Sequence, residues 1–197
     1  MMVKVCGITR SDDARAAVEA GAGAIGFNFW AGSPRHVTPE DASAIAAALP
    51  AGVLKVGVFV NESPATVAAI ARAAGLDVVQ LHGGEAPPGL RFWRACRVDG
   101  EGAVDLENAE GAEAILLDTA VPGMHGGTGR SFAWEMARMD GRRVIVAGGL
   151  DAGNVREAIR AAQPWGVDAC SRIEWAPGRK DHTKMTEFIR AALEEAS

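Results

Sequence analysis

The sequence predicts an α/β protein that folds as one closed (β/α)8 barrel, a TIM barrel, over residues 1–197. Eight short apolar runs alternate with Ala-rich amphipathic stretches of about ten residues, as strands and helices do in βα units. The runs are apolar at consecutive positions, which is typical of strands buried on both faces of a parallel sheet. Units of about 25 residues suit a compact closed barrel better than an open doubly wound sheet, and no break in composition marks a second domain.

The predicted strands are short, and several of them end at a residue with a reactive side chain. In chain order they are Val3–Cys6, Ala24–Phe29, Leu54–Val60, Val78–Leu81, Phe92–Ala95, Ala114–Asp118, Val144–Ala147 and Val167–Cys170.

Capping residues mark where the helices between these strands begin and end. Thr38-Pro39 and Ser63-Pro64 each place an N-cap residue before a proline at the first helical position, and Gly75 ends the second of these helices. Three more helices are predicted from Ser11-Asp12-Asp13 to Ala20, from Asp151 to Ala162, and from Asp181 to about Glu195. After the fourth strand, Pro87-Pro88-Gly89 leave room for about one turn, and a short helix is predicted around Ala103–Ala109.

Composition excludes several classes of protein. The net charge of −5 and the pI of about 5.4 leave no general basic face, so we expect neither nucleic acid nor an anionic membrane as a partner. Three cysteines without CxxC spacing predict neither a disulfide framework nor a zinc site. Charged residues from Lys4 to Asp13 rule out a secretory leader in this stretch, and no apolar segment is long enough to span a bilayer. We therefore expect a cytoplasmic protein.

Two apolar runs end in side chains that are able to transfer protons. Met2–Val5 leads directly into Cys6-Gly7, and Ala114–Leu117 leads into Asp118-Thr119. The carboxyl ends of barrel strands carry catalytic groups, and a thiol and a carboxyl can act as base and acid without a metal or cofactor. A buried structural role for Cys6 is equally compatible with its position, because Cys96 and Cys170 also end predicted strands. Arg10 is a candidate for stabilising a Cys6 thiolate.

Three glycine-rich segments invite comparison with phosphate-binding loops. Gly21–Gly26 matches GxGxxG, but it follows a helix and enters a strand, so we interpret it as a tight turn. Gly126-Gly127-Thr128-Gly129 follows the sixth strand and lacks the lysine of a Walker motif. Gly148-Gly149 precedes a predicted helix, and Ser171-Arg172 follows the eighth strand, where barrels commonly bind phosphate. Ordinary turns are the alternative for both of these loops.

Two further polar residues are candidates for ligand binding. Arg35 follows Pro34 in the loop after the second strand, where a guanidinium is able to bind a carboxylate or phosphate. An isolated arginine is more often a solvated surface residue. His82 follows the fourth strand and is either a rim group or a loop residue, and the spacing of the histidines predicts no metal site.

Taken together, the motifs resemble phosphoribosylanthranilate isomerase of tryptophan biosynthesis, in order along nearly the whole chain. The segments that carry the resemblance are Lys4-Val5-Cys6-Gly7-Ile8-Thr9, Gly26-Phe27, Ser33-Pro34-Arg35, Val58-Phe59-Val60-Asn61, Val79-Gln80-Leu81-His82-Gly83, Leu117-Asp118-Thr119, Gly126-Gly127-Thr128-Gly129 with Phe132 and Trp134, Gly148-Gly149-Leu150 with Asn154-Val155, and Pro177-Gly178 with Lys180-Asp181.

This resemblance implies the fold, the reaction and the site residues. The family is a (β/α)8 barrel that performs an Amadori rearrangement of an aminoaldose to an aminoketose, with a Cys as general base and an Asp as general acid. The matching positions are Cys6 and Asp118, and burial of Asp118 would help it to hold its proton. The resemblance also implies a small phosphosugar substrate and no cofactor. The implied substrate-binding residues are Arg35 for the anthranilate carboxylate, with His82, Gly127, Gly148, Gly149, Ser171 and Arg172.

The chain departs from the family at three places. The family commonly has Ser-Ser-Gly-Val-Glu after strand eight, whereas this chain has Cys170-Ser171-Arg172-Ile173-Glu174. His36 stands where a Tyr is frequent, and Ala133 stands where an acid is frequent. None of these changes affects the proposed acid or base, so they bear on substrate affinity more than on reaction class.

Two other functions compete with this interpretation. The aminoaldose isomerase of histidine biosynthesis resembles this family but generally has an Asp where Cys6 stands and a longer chain. A non-catalytic phosphosugar-binding barrel would need neither Cys6 nor Asp118. The sequence is compatible with either a monomer or a homodimer.

Overall fold

The computed structural model describes residues 1–97, 104–118, 134, 137–139 and 141–196. Eight parallel strands form a closed barrel in sequential order, which confirms the predicted fold class. They are β1 (Met2–Val5), β2 (Ala24–Asn28), β3 (Leu54–Val60), β4 (Val78–His82), β5 (Phe92–Arg97), β6 (Ala114–Asp118), β7 (Val144–Ala147) and β8 (Gly166–Ala169). Pairing of β1 with β8 closes the barrel, with Met2 opposite Gly166 and Val5 opposite Ala169.

Five α-helices are described around this barrel. They are α1 (Ser11–Glu19), α2 (Pro39–Ala46), α3 (Pro64–Ala74), α4 (Val155–Ala162) and α5 (His182–Glu195). The predicted caps of α2, α3 and α5 are confirmed: the side chains of Thr38, Ser63 and Asp181 accept backbone N–H bonds from the first helical turn. Gly75 ends α3 in the left-handed conformation, as expected.

Three helix predictions differ from the structure. Residues 83–91, after β4, form turns and no helix, because successive prolines remove helical N–H donors there. Val104–Ala109 are likewise not helical, and residues 101–103 lie outside the described part of the chain. Helix α4 begins at Val155 rather than at Asp151, because the Asp151 carboxylate accepts the Gly153 N–H (2.9 Å) and so closes a local turn.

Side chains of the barrel strands alternate between two apolar cores. The inner one fills the barrel, and the outer one lies between the strands and the helices. Ala114 and Leu116 of β6 belong to the inner core, whereas Ile115 and Leu117 belong to the outer one. Because side chains alternate along a strand, Asp118 has the inward phase of Ala114 and Leu116.

A short hairpin lies between β8 and α5, near the carboxyl ends of the strands. A 3-10 turn (Ser171–Ile173) leads into β9 (Glu174–Ala176), which pairs antiparallel with β10 (Arg179–Lys180). The backbone N–H of Lys180 donates to the Asp13 carboxylate (3.0 Å), which attaches the hairpin to α1. This hairpin carries the charged side chains of Glu174 and Lys180, which lie near the mouth of the barrel.

In the part of the chain that is described, no helix combines the length and the apolarity needed to cross a bilayer.

Candidate active site

Cys6 lies at the carboxyl end of β1, inside the mouth of the barrel. Its N–H donates to the Ala169 carbonyl (2.9 Å), so the pairing with β8 continues one residue beyond the strand. The residue is 8% exposed. Gly7 then turns the chain at a φ of 72°, a left-handed conformation that favours glycine. A side chain at position 7 would also collide with the Arg35 methylenes and with Cys170 Sγ.

An ion pair lies beneath Cys6, in the interior of the barrel. Lys4 Nζ is 3.0 Å from Asp168 Oδ1, and the Lys4 side chain is completely buried. Burial by itself would lower the pKa of Lys4, but the negative charges of Asp168 and Cys6 raise it above its ordinary value. Lys4 therefore provides a permanent positive charge below the thiol.

The surroundings of Cys6 favour its ionised form. A hydrogen bond from the Cys170 thiol lowers the pKa of Cys6 well below its ordinary value. Burial opposes this effect, while the ammonium groups of Lys4 and Lys180 add to the lowering. The sequence prediction named Arg10 as the stabilising cation, but Arg10 is exposed, and the cations that act on the thiol are these two lysines.

Asp168 shares the Lys4 cation with Cys6. Burial, together with the negative charge of a Cys6 thiolate, raises the pKa of Asp168 to about 7, although Lys4 opposes the shift. Near neutral pH, one positive charge thus faces two acidic groups, and ionisation of either group disfavours ionisation of the other.

Arg35 is held in a fixed orientation on the same side of the barrel mouth. Its Nε and Nη2 donate to the Glu174 carboxylate, at 3.0 and 2.7 Å, and Lys180 Nζ donates to the same carboxylate at 2.7 Å. Glu174 and Lys180 are both buried. Burial alone would raise the pKa of Glu174, but these hydrogen bonds lower it below its ordinary value. The hydrogen bonds that Arg35 donates to Glu174 raise the pKa of Arg35, so both members of the pair are charged.

Asp118 and His82 lie together on the other side of the mouth. Both line a cavity of about 390 Å³ between the carboxyl ends of β3 to β6. The Gln80 amide nitrogen is 2.9 Å from His82 Nε2 and orients the ring. Asp118 is exposed, so the burial that would have favoured its protonated form is not found. The reason is its position as the last residue of β6, where the cavity opens to solvent.

The two candidate phosphate loops are brought together by the adjacency of β7 and β8. Gly148 and Gly149 have positive φ values of 93° and 68°. Arg172 lies close to them, since a Cβ atom added at Gly149 would be 3.9 Å from Arg172 Nε. Arg172 also lies 3.8 Å from the Asp151 carboxylate and is exposed. Because α4 begins at Val155, no helix N-terminus directly follows the glycines. Gly127 lies outside the described residues.

Comparison with known proteins identifies the family. The family model described as N-(5'phosphoribosyl)anthranilate (PRA) isomerase matches residues 3–191. The chain belongs to this family. It is 55% identical over 196 residues to N-(5'-phosphoribosyl)anthranilate isomerase of Solibacter usitatus, covering 98% of this chain and 97% of the relative.

Solved isomerase structures share the fold over the full length. The phosphoribosyl anthranilate isomerase of Thermotoga maritima is 38% identical with a TM-score of 0.84, covering 98% of this chain and 99% of that one. A phosphoribosyl anthranilate isomerase in complex with reduced 1-(o-carboxyphenylamino)-1-deoxyribulose 5-phosphate is 35% identical with a TM-score of 0.81, at the same coverage. That second protein binds a phosphosugar with an attached carboxyphenyl group.

Sequence reasoning missed the charged residues that surround Cys6 and Arg35. Lys4 and Asp168 each interrupt an otherwise apolar strand, and such a charge seldom stays buried unless it is paired. That signal was available from the sequence. The partnership of Glu174 with Arg35 had no such signal, because the two residues lie 139 positions apart.

Proposed function

We propose that Cys6 and Asp118 are the general base and general acid of this isomerase. The reaction is the Amadori rearrangement of N-(5-phosphoribosyl)anthranilate to 1-(2-carboxyphenylamino)-1-deoxyribulose 5-phosphate, a step of tryptophan biosynthesis. One observation supports the two roles most strongly. By strand alternation, both side chains have the inward-facing phase at the carboxyl ends of strands of one closed barrel, where Cys6 lies above Lys4.

The proposed mechanism begins with opening of the sugar ring. Asp118 donates a proton to the ring oxygen, the bond from C1′ to that oxygen breaks, and the nitrogen lone pair forms the C=N bond of a Schiff base. The Cys6 thiolate then removes the proton from C2′, and the electrons of that bond form the enolamine. Transfer of a proton from the enol hydroxyl to C1′ gives the aminoketose. The proton on Cys6 returns to Asp118 through solvent, which restores both groups.

The remaining predicted residues hold the two anionic ends of the substrate in this proposal. Arg35, oriented by Glu174, binds the anthranilate carboxylate. The phosphate lies against Gly148, Gly149, Ser171 and Arg172. His82 contacts the sugar from the cavity that it shares with Asp118. The substrate thus spans the mouth between Cys6 and Asp118.

The wider setting of the reaction is also part of the proposal. The protein acts as one barrel domain in the cytoplasm, on a small phosphosugar, without nucleic acid or a membrane as partner. A thiolate base and a carboxyl acid supply every proton transfer of an Amadori rearrangement, so the chemistry requires neither metal nor cofactor.

A direct assay tests the function. The fluorescence of phosphoribosylanthranilate decreases as it is converted, so its loss is followed with the native protein and with Cys6→Ser and Asp118→Asn. We expect rapid loss with the native protein only. Turnover of the aminoaldose of histidine biosynthesis in place of phosphoribosylanthranilate would indicate the competing isomerase. Binding of the substrate without turnover by freshly reduced native protein would instead indicate a non-catalytic phosphosugar-binding barrel.

Removal of the Arg35 guanidinium is expected to weaken substrate binding more than catalysis. Arg35→Ala should raise KM at least about tenfold, which corresponds to the free energy of a charge-assisted hydrogen bond. It should change kcat much less. Steady-state kinetics separate the two constants. Arg91→Ala is the matched control, because Arg91 makes a similar bidentate contact with Glu113 but precedes β5, at the opposite end of the barrel. Unchanged kinetics of Arg35→Ala would assign Arg35 to a structural role.

Replacement of Lys4 is expected to move the acidic limb of the pH–rate profile. Because Lys4 lowers the pKa of Cys6, Lys4→Met should raise that pKa. Cys6 acts as a base only when deprotonated, so the rate should fall at neutral pH and recover at higher pH. The profile of kcat/KM measures this shift, and circular dichroism verifies folding, since Asp168 loses its partner.

The matched control for this experiment is Lys55→Met. Lys55 also lies in a barrel strand and pairs with Asp77 at 3.2 Å, but it stands near the amino-terminal end of β3. Its profile should keep the native acidic limb. If the acidic limb of the Lys4→Met profile also stayed at the native pH, this would contradict the role of Lys4.

A further inference from the structure

Two thiols face each other at the point where the barrel closes. The register of β1 and β8 pairs Val5 with Ala169, so Cys6 and Cys170 are the next two opposite residues. The hydrogen bond from the Cys6 N–H to the Ala169 carbonyl keeps the two strands paired at this point. Neighbouring strands lie about 4.8 Å apart, which is within the Cα separations of about 4.4–6.8 Å that disulfides span.

The side chains already contact each other in the reduced protein. The Cys170 thiol donates a hydrogen bond to Cys6, and Lys180 Nζ lies 3.9 Å from Cys170 Sγ. Cys170 is half-buried, whereas Cys6 is buried at the mouth that the substrate must enter. A small oxidant that follows the route of the substrate therefore reaches a thiolate with a second thiol beside it.

This pair is a feature of this chain rather than of the resemblance. The pattern of the resemblance has Ser where this chain has Cys170. A serine hydroxyl donates the same kind of hydrogen bond to a thiolate, but it cannot form a bond between two sulfur atoms. Position 170 thus decides whether the base has a resolving thiol next to it.

We propose that Cys6 and Cys170 form a reversible modification site, in which a peroxide converts the two thiols to a disulfide. The bond removes the thiolate of Cys6, so it stops the isomerase reversibly. The loss of activity rests on the proposed function of Cys6 as the base, whereas formation of the bond does not.

The chemistry takes two steps. The Cys6 thiolate attacks one oxygen of hydrogen peroxide, the O–O bond breaks, and Cys6 becomes a sulfenic acid while hydroxide leaves. Cys170 loses its proton to that hydroxide and attacks the Cys6 sulfur, the S–O bond breaks, and a second hydroxide leaves and takes a proton from solvent. In total, two thiols and one peroxide give one disulfide and two waters. The sulfur atoms lose two electrons, and the peroxide oxygens gain them.

Neighbouring groups favour both steps at this pair over the third cysteine. The hydrogen bond to the Cys6 thiolate and burial raise the pKa of Cys170, and conversion of Cys6 to a neutral sulfenic acid removes the thiolate from this balance. Lys180 Nζ lowers the pKa of Cys170 and is placed to stabilise its negative charge as it attacks. Cys96 is buried in the outer core, and burial raises the pKa of its thiol. Cys96 therefore serves as an internal reference that should stay reduced.

The test treats the full-length protein with hydrogen peroxide and measures mass and activity separately. In the native protein, we expect the loss of two hydrogens, a tryptic peptide linking Cys6 to Cys170, and one thiol left for alkylation after denaturation. Activity should fall at least about tenfold and return with dithiothreitol. Cys96→Ser is the matched control and should form the same linked peptide.

Cys170→Ser shows what happens without the resolving thiol. Its mass should increase by added oxygen. The activity that it loses, measured against its own untreated sample, should recover far less completely with dithiothreitol than that of the native protein. Added oxygen in the native protein without a linked peptide would overturn the proposal, as would a link to Cys96. A linked peptide with full activity would leave the modification standing and contradict the role of Cys6 as base.

Discussion

Replacing Cys6 by serine is expected to lower kcat at least about a hundredfold and to leave KM of the same order. Serine keeps the size of the side chain and its place beside Cys170 and Lys4. However, the hydrogen bond and the lysine charges that lower the pKa of a thiol here cannot ionise an alcohol near neutral pH. The step that removes the C2′ proton would thus lose its base, while the contacts that bind the substrate remain.

The control for this variant is Cys96→Ser, which makes the same atomic change in β5. The Cys96 side chain packs in the outer core at the edge of the cavity that Asp118 lines, and it takes no part in the proposed proton transfers, so the kcat of Cys96→Ser should stay close to the native value. Steady-state kinetics of freshly reduced proteins distinguish the two variants. Near-native turnover by Cys6→Ser would remove Cys6 from the mechanism and return it to the structural role that the sequence left open.

The second large effect is expected for Asp118→Asn, which should also lower kcat at least about a hundredfold. The amide has nearly the same shape as the carboxyl but is too weak an acid to protonate the ring oxygen, so the ring would open slowly. Substrate binding should change little, because the proposed contacts with its anionic ends lie in other loops. Single-turnover measurements, which separate chemistry from binding and release, show whether the chemical step has slowed.

Asp105→Asn provides the comparison. Asp105 is an exposed carboxylate that lines the same cavity but precedes β6, and the sequence predicts a solvated role for it. Its kcat should remain close to native. If Asp105→Asn lost as much activity as Asp118→Asn, the effect would come from the charge of the cavity rather than from one acid.

The strands were predictable because a buried parallel strand has a local signature. Leu54–Val60, Ala114–Asp118 and Val144–Ala147 occur with the predicted bounds, and the other strands differ by one or two residues at one or both ends. Helices with a side-chain cap began where predicted. Asp151 did not start a helix, because the same carboxylate that can cap a helix can also close a turn.

The site was predictable only in part. Cys6 and Asp118 could be named because each directly follows an apolar run, and strand ends meet at one rim of a barrel. The exposure of Asp118 could not be read from that run, since it depends on the cavity that the carboxyl ends of β3 to β6 form around it. Sequence proximity suggested Arg10 as the cation near Cys6, whereas side-chain alternation in the folded barrel selects Lys4.

The sequence by itself determined the order of strands and helices, hence the closed barrel, and it marked the two residues proposed as base and acid. These properties follow from apolar periodicity and capping, which act over a few residues. Only the tertiary structure decided what surrounds Cys6. Lys4 and Asp168 are 164 residues apart, and Cys6 meets Cys170 only because β1 pairs with β8. Barrel closure brings the two ends of the chain together, so the charges and the second thiol that control the base are set by contacts that no local pattern encodes.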